Sequence, residues 1–305
     1  MRDYEPSRRS LYVAAALLTL IAVLVAAVVI WLRSRPAPQR PVLHQSIEPY
    51  ERDPGVIALR RQAVSVVGRG EHVLEVEDLE CQMDDSMLAP LARWKHLRRV
   101  YLISGGITGE GLKHLVGLKC LKWLYLGGVP ISDDSVQYIG QIPNLVELDL
   151  YACPITDAGL AHLKGLDHLE YLELDSTDIT DAGLAHLRSL HVVRLMLEDT
   201  KITDAGLVHL AGMTQLVQLE LDCTDITDSG LAHLEGLDNL EELGLRQTKI
   251  QGPGLKHLRG LHSLRGLDLR ETTVPTEDAE RLQEFLPKVR IHVGGKILDP
   301  LDDAD

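Results

Sequence analysis

Aromatic side chains are scarce in this chain. Only 4% of its 305 residues are aromatic, and Phe285 is the single phenylalanine, although 45% are hydrophobic. A core made with so few rings must be aliphatic, here mostly leucine, which points to small like units rather than one mixed globular core. Cysteine is sparse too. Cys81, Cys120, Cys153 and Cys223 never fall into a CxxC pair, so a zinc site or a small disulfide framework has no support, and the redox compartment stays undecided. Positive charge is in deficit: 31 Lys and Arg stand against 45 Asp and Glu, a formal net charge of -14. Such a surface repels phosphate backbones, so no nucleic-acid role is expected, while basic partners suit it. Enzyme signatures are missing as well. There is no HExxH and no GxSxG, and the stretch Gly105-Gly106-Ile107-Thr108-Gly109-Glu110-Gly111 lacks the Gly-Lys-Ser/Thr of a phosphate loop and reads as a turn. Neither catalysis nor a cofactor is expected.

One long apolar run is present. Residues 11–32, LYVAAALLTLIAVLVAAVVIWL, are broken only by Thr19 and the hydroxyl of Tyr12. About 20 helical residues cross a hydrocarbon core of ~30 Å. Arg8, Arg9, Arg33 and Arg35 flank the run, and Trp31 sits where an interfacial ring is favoured. A cleaved signal peptide would have a shorter apolar region, of about 7–15 residues, and a small-residue cleavage site. The reading is an uncleaved single membrane span, with the tail at residues 1–10 inside and the large domain outside the cytoplasm. Residues 33–54 hold Pro36, Pro38, Pro41, Pro49 and Pro54 and read as an extended stalk.

From about residue 97 the chain repeats itself. Leu-x-x-Leu-x-Leu appears at Leu121/Leu124/Leu126, Leu145/Leu148/Leu150, Leu169/Leu172/Leu174, Leu216/Leu219/Leu221, Leu240/Leu243/Leu245 and Leu264/Leu267/Leu269. Val100 and Val192 replace one leucine each in two further units. The spacing is 24 residues except for one interval of 23. Each unit continues with an aliphatic residue such as Ile155 and then a segment such as Thr156-Asp-Ala-Gly-Leu-x-His-Leu163. Thr is a good N-cap, and Asp in the first turn favours the helix dipole. A strand, a turn and a short helix cannot bury their leucines alone, so the units must stack into a continuous core. Residues 55–96 read as an N-terminal cap with a degenerate first repeat, 97–285 as eight repeats, and 286–305 as a C-terminal cap strand with an acidic tail. Within the N-terminal cap a short helix is expected around Val56–Gln62, then strand-like runs at Ala63–Val67 and His72–Val76.

This pattern resembles the leucine-rich-repeat family. The family's Leu-x-x-Leu-x-Leu-x-x-Asn/Cys-x-Leu matches residues 145–155, with Cys153 at the Asn/Cys position. Thr177, Thr200, Thr224, Thr248 and Thr272 hold that position elsewhere, and Gly105 and Val129 depart from it. The Ile-Thr-Asp-Ala-Gly-Leu-x-His-Leu subtype is similar to repeats of F-box-associated adaptors and of bacterial proteins, planctomycete ones among them. The resemblance implies an α/β solenoid, a horseshoe with parallel strands on its concave face, and a Thr hydroxyl that donates to a turn carbonyl as the family's Asn does.

Strand residues alternate between faces. If the leucines point inward, the concave surface is lined by Arg99, Tyr101, Trp123, Tyr125, Tyr151 and Tyr171, then by acids that include Glu147, Asp149, Glu173, Asp175, Glu198, Glu220, Asp222 and Glu242, then by Arg246, Arg270, Lys288, Arg290 and His292. The surface runs from aromatic to acidic to basic. Exposed rings favour an interface, and the acidic strip would steer a basic partner. The expected function is protein binding or scaffolding on that face. Two alternatives stand beside it: a structural cell-envelope protein that assembles through its repeats, and a pH- or metal-responsive sensor built on His114, His162, His186, His209, His233 and His257, which hold the same place in their units. No carboxylate or cysteine pattern completes a metal shell around those histidines. Asp157, Asp181, Asp204 and Asp228 look like a calcium array but read as helix-start residues.

Overall fold

A three-residue strand can bury only its middle side chain, and that is what the leucine spacing produces. In β4 (Trp123–Tyr125), β5 (Glu147–Asp149), β6 (Tyr171–Glu173) and β8 (Gln218–Glu220) the central leucine is buried and both neighbours are half-buried. The computed structural model describes residues 65–69, 72–78, 83–102 and 106–301. The chain divides into two units, Met1–Ile47 and Glu48–Asp305. The first lies outside the described residues, and with it the span expected at 11–32. The stalk and the helix expected around residues 56–62 also lie outside them. Among the described residues no helix is long and apolar enough to cross a membrane.

The described strands form one sheet in chain order, from β1 (Ser65–Arg69) to β12 (Lys296–Leu298). Strand β2 (His72–Asp78) pairs in parallel with β3 (Arg99–Leu102), and parallel pairing continues through β7 (Arg194–Met196), β9 (Glu242–Gly244) and β10 (Gly266–Leu269) to β11 (Arg290–Val293). The 23-residue interval leaves register intact, because the missing residue falls in the turn Leu190–Val192 and Tyr171 still pairs with Arg194. Short α and 3-10 segments return the chain on the other side. Strand leucines, the aliphatic residues Ile107 to Val274 and helix leucines such as Leu160 and Leu163 fuse into one core between the two layers. Adjacent strands lie ~4.8 Å apart, whereas a helix with its side chains is ~10 Å wide. The sheet is therefore the shorter, inner side of the stack.

The turns after the strands are held as the repeat pattern implies. The hydroxyls of Thr177, Thr200, Thr224, Thr248 and Thr272 donate to the carbonyls of Leu174, Leu197, Leu221, Leu245 and Leu269 at 2.5–2.7 Å. Cys153 differs, its thiol reaching back to Leu126 O of the preceding unit at 3.2 Å. Thr224 is 3% exposed. Thr224→Val keeps the shape but leaves the Leu221 carbonyl unpaired in the core, so a loss of about 1–2 kcal/mol is expected in denaturant unfolding.

The helix-start aspartates bind the next unit. Asp181 accepts the backbone N–H of Thr203 at 2.7 Å and its hydroxyl at 2.7 Å. Asp133, Asp157 and Asp204 hold Thr156, Thr180 and Thr227 in the same way. The same threonine oxygen caps its own helix, accepting from Ala205 N at 3.3 Å in the case of Thr203. Each Thr-Asp pair is thus one link of a chain of hydrogen bonds along the solenoid, a role beyond dipole stabilisation.

At both ends the parallel run gives way to one antiparallel strand. Strands β1 and β2 form an antiparallel hairpin, and β12 folds back antiparallel on β11 through Gly294 and Gly295. Strand β12 lies between the expected cap strand and the acidic tail that begins at Leu301, where the sequence reading has no strand. Buried Gln283, in the last helix (Thr276–Gln283), ties this end together by donating to the carbonyls of Val289 and Asp299.

Candidate functional site

Strand register places the outward side chains in columns across the open face of the sheet. The first column reads Arg99, Trp123, Glu147, Tyr171, Arg194, Gln218, Glu242, Gly266 and Arg290. The second reads Tyr101, Tyr125, Asp149, Glu173, Met196, Glu220, Gly244, Asp268 and His292. Two residues further on along the chain come Tyr151, Asp175, Glu198, Asp222, Arg246 and Arg270.

The aromatic residues do not form one patch. Tyr101 and Tyr125 touch, with ring centroids 5.2 Å apart. Trp123 lies beneath the Arg99 guanidinium at 4.9 Å, and Arg99 also meets Glu75 at 3.3 Å. Tyr171 is separated from these by β5 and lies beneath Arg194 at 4.8 Å. Glu147, between the two rings, accepts the Tyr125 hydroxyl at 2.5 Å and faces Arg194 at 3.7 Å. Tyr151 stands at the rim, 50% exposed. The result is a nearly palindromic row, Arg-Trp-Glu-Tyr-Arg, in which each cation covers the neighbouring ring. Arg194 and Met196 escape a reading that groups residues by charge, because they interrupt an acidic block. Their position between Val192 and Leu197 is the signal that places them on this face.

The acidic strip carries little compensation. Among the described residues, no lysine or arginine side chain pairs with Asp149, Asp175, Glu198, Glu220 or Asp222. Burial pushes Asp149 up to about 6, with the Glu173 charge adding to it and the Tyr151 amide opposing. Burial likewise raises Glu220 to about 7, against the Gln218 hydrogen bond and with Asp222, Glu242 and Glu198 adding repulsion. Asp222 rises to about 6, from burial first, opposed by the Arg246 amide and helped by Asp268 and Glu198. Asp175 is held well above the usual carboxylate range by burial and by Glu173. Glu173 accepts the Tyr171 hydroxyl.

At the far end the cations are already engaged. Arg246 donates to Glu271 at 2.9 Å, Arg270 grips Asp268, and Arg290 meets Asp299 at 3.0 Å. Burial alone would raise Asp268, but the Arg270 hydrogen bonds and charge outweigh it and hold that carboxyl below its ordinary value.

The equivalent histidines lie on the helical side, where His257 pairs with Glu235. Among the described residues, no three His, Cys, Asp or Glu side chains group to hold a metal ion.

Residues 166–187 match a family model described as Leucine Rich repeat. No curated protein matches the chain. Among solved structures it is similar to internalin C2 from Listeria monocytogenes, at 21% identity over 72% of this chain and 80% of that one, with a TM-score of 0.47. It is also similar to the internalin inlF of the same organism, at 22% identity over 67% of this chain and 75% of that one, with a TM-score of 0.36. A third similarity is to a plant peptide hormone receptor, RGFR1, solved in complex with RGF2. There the identity is 18%, the coverage 67% of this chain and 36% of that one, and the TM-score 0.44. The matched stretch 166–187 is one unit among eight that share its leucine spacing in this α/β solenoid.

Proposed function

We propose that this protein is a membrane-tethered binding module that holds a protein partner with a basic segment on the open face of its sheet. The observation that carries the reading is the strip of half-buried carboxylates without cationic partners, next to two arginine-covered rings. A folded domain gains nothing by itself from holding like charges half out of water. A cationic segment would supply the missing countercharge, and the rings would supply contact area. Tethering through residues 11–32, with the repeats outside the cytoplasm, is part of the same proposal and rests on the apolar run and its flanking arginines.

The test is a capture experiment with the full-length chain and a Trp123→Ala/Tyr125→Ala double variant, reading retained proteins by mass spectrometry. The double variant is expected to keep its circular dichroism spectrum and lose the retained partner, a change of at least tenfold in recovery. A folded double variant that retains the same proteins at the same level sinks the reading.

A further inference from the structure

The last strands of the open face carry a further feature at the end of the acidic strip, where Glu220 stands. Two adjacent strands present bare backbone there, at Gly244 on β9 and Gly266 on β10. A Cβ built on Gly244 would lie 1.8 Å from Glu220 Oε2, and one on Gly266 would lie 1.8 Å from Glu242 Oε2. The two carboxylates lean over the glycines, and a cavity of about 670 Å³ opens above them. Its walls have opposite sign. Glu220 and Glu242 stand on one side, and Lys288, Arg290 and His292 on the other. Glu220 and Glu242 lie on β8 and β9, while Arg290 and His292 lie on β11, two to three strand spacings or roughly 10–14 Å away, and among the described residues no ion pair joins the two walls. Asp268 and Arg270, between the walls, satisfy each other. Among the described residues Lys288 pairs with no carboxylate.

We infer that this cavity is a pocket for a dipolar group, a lysine or arginine charge with a carboxylate about one side-chain length away, such as a basic residue near an acidic one in a bound peptide. The cation would lie over Gly244 and Gly266 against Glu220 and Glu242, and the carboxylate would face Lys288 and Arg290. The gap fits this occupant because Glu220 and Glu242 have no cationic partner and Lys288 no carboxylate, while Arg290 holds only the solvent-exposed Asp299, which a bound carboxylate can displace. The raised pKa of Glu220, about 7 from burial and neighbouring acids, agrees with an anion waiting for a countercharge. This inference rests on the open face being the binding surface and adds the partner's local charge pattern.

Four probes test it on the full-length protein by ligand-observed NMR titration. Nα-acetyl-arginine and acetyl-Arg-Asp-amide carry both charges, acetyl-arginine amide carries only the cation, and Nα-acetyl-citrulline only the anion. The dipolar probes are expected to bind at least fivefold tighter than either single-charge probe. Whichever dipolar probe is the tighter identifies the carboxylate as a chain terminus or a neighbouring side chain. Gly244→Val fills the floor with a good strand former whose Cβ meets the Glu220 carboxylate end and Asp222 Oδ1, the latter bound to the Arg246 amide; with the fold shown intact by circular dichroism, it should erase the dipolar advantage. Glu242→Gln and Arg290→Gln add no bulk and should each reduce it at least threefold. Equal affinity for all four probes, or an advantage that survives Gly244→Val and both charge variants, overturns the pocket. Either outcome leaves capture through Trp123 and Tyr125 as a separate question, so failure of the pocket and failure of the binding face are distinguishable.

Discussion

Gly206→Ala is expected to destabilise the solenoid by about 2–4 kcal/mol. The sign is the informative part, because replacing a helical glycine with alanine ordinarily stabilises by about 0.5–1 kcal/mol. Gly206 lies in the helix Asp204–Leu207, and a Cβ there would fall 2.4 Å from Asp181 Oδ1. That carboxylate is not free to move, since it accepts both the amide and the hydroxyl of Thr203. Alanine must therefore break the link between units or push the units apart. Gly159, Gly183 and Gly230 meet the preceding aspartate in the same way, at 2.3–2.6 Å. Denaturant unfolding of the full-length chain measures the effect, and a double-mutant cycle assigns it. In an Asp181→Ala background the carboxylate is gone, so Gly206→Ala should cost at least 1 kcal/mol less than in the parent. Additive costs would mean that the aspartate is not what excludes a side chain.

The second large effect is a pH dependence opposite to the one salt-bridged carboxylates produce. A carboxyl whose folded pKa is raised binds more protons in the folded than in the unfolded state, so stability falls as pH rises between the two values. Asp149 and Glu220 are raised from 3.8 and 4.5 to about 6 and about 7. Their contribution is present below pH ~4 and is lost as pH climbs through about 6 to 7. At 1.36 kcal/mol per pKa unit, and halved for solvent screening, each costs about 1–2 kcal/mol at pH 8 relative to pH 4. The protein should therefore melt several degrees higher at pH 5 than at pH 8. Glu220→Gln should remove part of the difference by stabilising the pH 8 state. A basic peptide seated on the face should release protons as it binds near pH 6.5, which calorimetry in buffers of different ionisation enthalpy reads directly.

The repeat architecture is largely legible in the leucine spacing, because a buried residue every 24 positions admits few other structures. The threonine bonds are also legible, since only a small donor fits a turn carbonyl three residues back. What sequence spacing does not reveal is which unit a side chain serves. Asp181 looks like a helix-start residue of its own unit, yet its hydrogen bonds go to Thr203 in the next. Cys153 stands in line with the threonines, yet its thiol reaches Leu126 in the unit before. On the candidate face the columns can be counted out from the leucines, and Arg99, Tyr101, Trp123 and Tyr125 stand where the alternation puts them. Their pairing cannot be counted out, because it depends on side-chain reach across strands. Tyr171 turns from a member of an aromatic patch into the partner of Arg194, and Arg246 and Arg270 turn from free cations into partners of Glu271 and Asp268.

The account stands on the open sheet face being the surface that meets the partner. Tyr151 on that face and Val208 on the helical side are matched in exposure, at 50% and 51%. A photo-crosslinking residue placed at one or the other position, in the full-length protein in its own cells, compares the two surfaces directly. Adducts from position 151 and none from position 208 are the predicted result. Adducts from position 208 with none from position 151 would place the partner on the helical side and contradict the account.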